Sequence, residues 1–286
     1  MSDDLIRRIR ARHELMSPGQ RRVADHLLEN YEDAAFQSAA SVARAVGVSE
    51  SLVVRFAASL GYEGFRELSS ALGEMVKARL SLPERLQLAP PELTADIRGS
   101  DLLAHVVALD RTNLDGTLAG PTSTVLDSVV TAMLEARTIY LVGLRGPAYL
   151  AGLFGLLLDK AGADVVVVSQ GDVVMFDRLR HVGDRDLLFA FTFARYTKRS
   201  LEALRLARAR AAKTVVMTDS PTAPVIAEGD LVLNVRVASA SFQHSYVAAV
   251  TVMNALVTAW TLRAPQRTLA SLEAIEAVIP PDAFMT

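Results

Sequence analysis

AASVARAVGVSESLVVRFAASLG, Ala39 to Gly61, spells two short helices meeting at a tight turn. Gly47 supplies a left-handed corner that glycine enters without strain, Val48 closes it, and Ser49 stands where a second helix is capped. Two helices at such a corner bury a small shared face, which asks for apolar side chains at Val42, Val46, Val48, Val53 and Phe56 and a small one at Ala43. All are present. An ordinary helical hairpin meets some of these conditions; a helix-turn-helix meets all of them. The second helix then keeps Glu50, Ser51, Val54 and Arg55 off the core, with Ser49 at its amino end, where a recognition helix meets base edges and phosphates.

Outward from this unit the chain stays helical. Leu5, Ile6 and Ile9 stripe a first helix. SPGQ at Ser17 to Gln20 combines a Ser cap, a first-turn Pro and a Gln three residues on, which is a capping box, and its helix runs through Val23, Ala24, Leu27 and Leu28 to about Asn30. After Gly61, Phe65, Leu68 and Leu72 stripe another helix. Residues 1–79 therefore form a helical DNA-binding domain, and the proline-rich stretch 80–100 reads as a linker.

The 286 residues and 51% hydrophobic content support two domains. No cysteine is present, which excludes disulfides and thiolate metal sites and fits a reducing cytoplasm. The opening MSDDLIRRIRAR has no apolar run, so no secretory signal is expected. Net charge is −2, and the first 79 residues balance 11 Lys/Arg with 11 Asp/Glu, so nucleic-acid binding rests on local placement. Arg44, Arg55 and Arg66 surround the recognition element. The earlier cluster Arg7, Arg8, Arg10, Arg12, Arg21 and Arg22 reads as solvated helix faces.

Beyond residue 100 the rhythm changes. Helices over 101–119 and 122–136 lead into the short β-branched apolar run TIYLV at 138–142, and further apolar runs then alternate with helices: DVVVVS, DLLFAFTF, KTVVMTD and DLVLNVRV, with PTAPVIAEG read as the helix between the last two. Continuous apolar strands between helices indicate a parallel sheet covered on both faces, with ligands taken in loops past the carboxyl ends of the strands. Those loops are 143–147, 169–172, 192–197 and 218–221. Residues 101–264 form this α/β domain, followed by a tail at 265–286. Ser245 to Leu262 carries no charge, yet it includes Thr251, Asn254 and Thr258 and is rich in alanine. It reads as a helix on the sheet or between subunits, and no membrane partner is expected.

SPGQRRVADHLLENYEDAAF followed by GVSESLVVRFAASLGYEGFREL resembles the RpiR/MurR family of bacterial transcriptional regulators, and the five-strand α/β pattern resembles their sugar isomerase (SIS) domain. The resemblance spans nearly the whole chain. It implies an all-α helix-turn-helix domain followed by an α/β domain with a five-stranded parallel sheet, a homodimer or homotetramer, a double-stranded DNA operator, and an SIS domain that senses a metabolite, often a phosphosugar. Phosphosugar-binding members have a Gly-x-Gly-Ser-Ser turn after the first strand and a Ser-x-Ser-Gly-x-Thr loop after the third. Here the turns read Gly143-Leu144-Arg145-Gly146-Pro147 and Thr192-Phe193-Ala194-Arg195-Tyr196-Thr197. Gly143, Thr192 (for Ser) and Thr197 survive. Gly146 and Pro147 remove two hydroxyls, and the proline also removes an amide donor from a helix terminus.

Arg145 and Arg195 enter loops that adjoin when their strands are neighbours. A guanidinium fork suits carboxylate or phosphate, and Tyr196 adds a flat face and a hydroxyl. Two readings stay open: the arginines receive a small anionic metabolite, a phosphosugar or organic acid, or they pair with acids such as Asp172 or Asp219 and line a subunit contact. Thr197 also precedes a helix and is placed to cap it. His244 lies ahead of the last helix and has two readings, a residue that reaches the pocket from a partner chain or a hydrogen-bonded structural histidine, and Trp260 reads as core.

An isomerase reading competes, because SIS domains also occur in sugar isomerases. Isomerisation needs a base against an acidic carbon proton, and none of the four loops carries a Glu. A dinucleotide fold is disfavoured by GLRGPA, which lacks the second glycine of the fingerprint. No cofactor, metal ligand set or catalytic residue is expected. The reading is a metabolite-responsive DNA-binding regulator, with an SIS domain that only oligomerises as the milder alternative. Its DNA-facing residues are Arg44, Ser49, Glu50, Ser51, Val54, Arg55 and Arg66. Its ligand-facing residues are Gly143, Arg145, Gly146, Thr192, Arg195, Tyr196, Thr197 and His244.

Overall fold

A computed structural model of the chain describes residues 3–30, 34–35, 37–79, 82–87 and 93–280. The side chains of Ile6, Arg7 and Arg10 lie outside the described ones. Two compact units divide between Gln87 and Leu88.

The first unit is helical: α1 Asp3–Arg12, α2 Pro18–Glu29, α3 Ala39–Val46, α4 Glu50–Ser59, α5 Phe65–Arg79 and the short α6 Leu82–Gln87. The capping box at α2 is formed. Gln20 N–H donates to Ser17 Oγ at 3.4 Å, and Ser17 N–H donates to Gln20 Oε1 at 3.0 Å. Gly47 has φ +66° and closes α3, and Gly61 has φ +89° just past α4. Val42, Ala43, Val53 and Phe56 are buried with Leu5, Ile9, Val23, Leu27, Phe65, Leu68 and Leu72, while Val46 and Val48 pack partly buried against them.

The second unit opens with α7 Gly99–Leu118 and α8 Thr122–Glu135. The sheet follows: β1 Ile139–Gly143, α9 Pro147–Lys160, β2 Val165–Val168, α10 Val173–Leu179, β3 Leu187–Phe191, α11 Lys198–Ala209, β4 Lys213–Thr218 and β5 Leu231–Asn234. All pairings are parallel, in the order β2-β1-β3-β4-β5. The expected helix over 221–229 is instead turns and a 3-10 segment at Ile226–Glu228. Two prolines, at 221 and 224, deny the segment two amide donors. The chain ends with α12 Val247–Arg263 and α13 Pro265–Glu276, so most of the stretch read as a tail is helix.

Strand residues alternate between two cores because β side chains point to opposite faces in turn. Ile139, Leu141, Phe189 and Met217 pack with α8, α9 and α12, while Tyr140, Val142, Ala190 and Val216 pack with α10 and α11. Phe154, Phe189 and Phe191 form an aromatic cluster with centroids 4.8–5.9 Å apart. Helix α12, uncharged up to its last residue Arg263, buries Ala248, Val252, Met253, Leu256 and Trp260. Trp260 Nε1 donates to Ala161 O at 3.0 Å. Among the described residues no single helix is long and apolar enough to cross a membrane.

Candidate functional site

The helix-turn-helix presents its outer face as the apolar spacing requires. Glu50, Ser51, Val54 and Arg55 of α4 are exposed, as are Ser49, Arg44 and Arg66. Ser49 holds the N-cap position with extended backbone, but no side-chain cap bond forms; its hydroxyl lies 3.1 Å from that of Ser51. Arg44 lies along its own helix, Nε to Ala40 O at 3.4 Å.

Among the described early arginines, Arg12, Arg21 and Arg22 are exposed, as solvated helix faces require, and Arg8 is half-buried; each also reaches a backbone carbonyl. Arg8 donates to Leu60 O at 3.3 Å and to Tyr62 Oη at 2.6 Å, with its guanidinium 5.2 Å from the Tyr62 ring centroid. Arg12 donates to Ser59 O. Arg22 reaches Gly47 O at 3.4 Å, and Arg21 bonds Met16 O and Glu14 O. Cations at the carbonyl end of α4 oppose its dipole and satisfy orphan acceptors. Arg8 and Arg12 thus brace the recognition helix from behind.

In the second unit β1 and β3 are neighbours, with Gly143 opposite Phe191, so the loops carrying Arg145 and Arg195 leave the same end of adjacent strands. Gly143 must be glycine: a Cβ there would lie 2.3 Å from Pro147 O. Gly146 is the N-cap residue of α9, and a Cβ on it would lie 2.7 Å from Tyr246 Oη. Arg145 has φ +63° and Arg195 φ +24°. Both stand where the resembled turns carry glycine, and both keep a left-handed backbone that costs an L-residue about 1–2 kcal/mol. Both side chains are exposed, and among the described residues neither forms an ion pair. Asp172 instead caps α10, accepting from Val174 N–H at 3.0 Å, and Asp219 serves the third loop.

Asp219 follows β4, and its carboxylate accepts from Ala194 N–H at 3.0 and 3.2 Å and from Tyr196 O–H at 2.9 Å. Burial pushes its carboxyl above the ordinary carboxylate range, against the opposing pull of the Ala194 N–H, His244 and the Tyr196 hydroxyl. His244 Nε2–H donates to Ala194 O at 2.8 Å, a hydrogen-bonded structural role within its own chain. The rings of Phe193, His244 and Tyr246 lie 5.4–6.3 Å apart. Residues 244–246 therefore bridge the two arginine loops.

The remaining expected ligand residues do structural work. Thr192 is buried, with its N–H on Met217 O at 3.0 Å, and Thr197 caps α11 by accepting from Ser200 N–H at 3.1 Å. The loop after β2 lines a polar depression with Ser169, Gln170 and Arg178 at the sheet edge. Tyr246 carries no signal in the sequence. Asp219 has one, an acid at the end of an apolar strand in one of the four loops, and the sequence offers it only as an ion-pair partner for the arginines.

The helix-turn-helix domain of the rpiR family matches residues 4–78, and the SIS domain matches residues 132–259. The HTH-type transcriptional regulator YfhH of Escherichia coli is 33% identical over 190 residues, 65% of each chain. The HTH-type transcriptional regulator HexR of Pseudomonas aeruginosa is 26% identical over 271 residues, 91% of this chain and 90% of that one. Among solved structures, the sugar isomerase domain of an RpiR transcription factor from Sphaerobacter thermophilus is 26% identical with TM-score 0.60, over 62% of this chain and 99% of that one. The Vibrio vulnificus NanR protein, complexed with ManNAc-6P, is 25% identical with TM-score 0.59 over 98% of this chain and all of that one. With the helix-turn-helix formed at one end and the five-strand parallel sheet at the other, the chain belongs to the rpiR family of helix-turn-helix transcriptional regulators that carry an SIS domain.

Proposed function

We propose that the SIS domain of this regulator senses a small anionic metabolite, a phosphosugar or an organic acid, and that its occupancy alters operator binding by the helix-turn-helix. One observation carries the reading: two exposed arginines sit at positive φ at the ends of adjacent strands, without an acid partner among the described residues. Strain of this kind persists where the surroundings impose it, and it points to a site. Guanidinium groups held there replace the hydroxyls and amide missing from the turn after β1. The NanR neighbour, complexed with ManNAc-6P, supports a phosphosugar as the ligand class. The protein acts as a regulator and not as an isomerase, since its loops offer Asp172 and Asp219, both engaged as acceptors, and no Glu.

The operator is read by Ser49, Glu50, Ser51 and Val54, while Arg44, Arg55 and Arg66 hold phosphates. The protein works as a homo-oligomer of even number, dimer or tetramer, in the cytoplasm. Self-association is supported by the apolar side chains left outside: Leu102, Leu103, Val106 and Val107 on α7, Tyr149 and Leu156 on α9, and Leu262 on α12. A dimer setting its recognition helices about 34–36 Å apart matches one turn of DNA and a near-palindromic site. The ligand acts only if it favours one arrangement of those helices over another.

Calorimetric titration of sugar phosphates and organic acids into wild type, Arg145→Ala and Arg195→Ala tests the sensor. Equal affinity in all three removes it. Footprinting on DNA flanking the gene, with and without the same compounds, tests the operator half.

A further inference from the structure

Loops that cradle phosphate converge backbone N–H and hydroxyl donors on the ligand's oxygens. In the 192–197 loop those donors converge on the protein itself. Ala194 N–H and Tyr196 O–H both end on the Asp219 carboxylate, and Thr218 Oγ1 lies 3.4 Å from Asp219 Oδ1. The other side of the same peptide unit is taken as well, because Ala194 O receives His244. Residue 194 is thus clamped through both its N–H and its C=O, and the left-handed turn at Arg195 follows directly after it.

We infer that Asp219 is the specificity-determining residue of the site at the two arginine loops: its carboxylate takes the Ala194 N–H of the third loop, so the site takes a ligand with one anionic group and a neutral, hydroxylated remainder and rejects a second anionic group. The inference rests on the reading of Arg145 and Arg195 as the groups that receive the anion. A carboxylate has about four acceptor positions; Ala194 N–H, Tyr196 O–H and Thr218 Oγ1 lie on Oδ1 and only Ala194 N–H on Oδ2, so Oδ2 keeps a position for a sugar hydroxyl. A second phosphate or carboxylate near the same oxygens meets a like charge. At about 6–8 Å and an effective dielectric of about 20, that repulsion corresponds to roughly a 30- to 100-fold loss of affinity.

The test is calorimetric titration of the full chain with a hexose 6-phosphate and with the same hexose carrying phosphates at both ends. Wild type, Asp219→Asn and Asp219→Ser are compared, with thermal unfolding recorded for each. Asp219→Asn keeps an acceptor for Ala194 N–H and removes the charge; Asp219→Ser is a smaller neutral replacement should the first fold poorly. Wild type is expected to prefer the monophosphate by at least about tenfold, and the neutral variants to lower that preference to about threefold or less. Equal binding of both sugars by wild type overturns the inference, as does an unchanged preference in the variants or no binding of either sugar to any of the three. Monophosphate affinity unaffected by Arg145→Ala and Arg195→Ala removes the arginine reading instead, which is a separate outcome.

Discussion

Arg137, just ahead of β1, clasps the buried carboxylate of Asp186, just ahead of β3, through Nε–Oδ1 at 2.9 Å and Nη2–Oδ2 at 2.7 Å. Asp186 Oδ2 also accepts from Gly183 N–H at 2.9 Å. The pair joins at their amino ends the two strands whose carboxyl ends carry Arg145 and Arg195. Its carboxylate is fully enclosed, so removing the arginine strands a buried charge. Arg137→Ala is expected to lower the urea midpoint of the second unit, because Asp186 keeps its buried charge and loses its cation. An unchanged midpoint would show that the clasp is incidental.

Glycine and alanine at the two loop arginines separate strain from function. Arg145→Gly relieves the left-handed backbone at the expense of a more mobile unfolded chain, for a net gain of up to about 1 kcal/mol. Arg145→Ala keeps the strain and gains nothing. Both lose anion affinity. A glycine variant less stable than the alanine one, by thermal unfolding, contradicts the strain assignment.

Arg55 is the cation carried by α4 itself. Arg55→Ala is expected to weaken operator binding and to reduce the slope of log K against log salt by about 1. A slope equal to that of wild type in a fluorescence-anisotropy titration places the phosphate contact elsewhere.

Arg8 gives the opposite signature. Arg8→Ala removes a charged partner from the carbonyl end of α4 and a cation from the Tyr62 face, lowering the stability of the first unit by about 1–2 kcal/mol. Operator affinity falls with it while the salt slope stays as in wild type. A reduced slope would make Arg8 a phosphate ligand.

The raised pKa of Asp219 makes a prediction about pH with a definite sign. Its reference value is 3.8, and the folded value lies above it, so the native state holds this proton more tightly than the unfolded chain. The stabilisation is full below pH 3.8 and is lost as pH rises through the folded value. His244 and Tyr196 face the same carboxylate and lower its pKa in part. Relative to wild type, Asp219→Asn is therefore expected to gain stability from about pH 4 upward and then level off. A difference constant across the series shows that the carboxyl titrates as it does in the unfolded chain.

Much of this protein was legible in local sequence because its signals act over a few residues. Gly47 and the spacing of Val42, Val53 and Phe56 wrote the helix-turn-helix, the SPGQ box wrote the start of α2, and short continuous apolar runs wrote the strands of a doubly covered sheet. Contacts between distant residues were decided only by tertiary structure. Which arginines brace α4, which carboxylate holds Ala194, and that His244 turns back onto its own chain depend on separations of 52, 25 and 50 residues. No period or motif encodes such meetings, because a side chain's partner across the fold is set by how strands and helices pack, and an arginine in a loop reads the same whether it caps a helix, pairs with an acid or waits for a ligand.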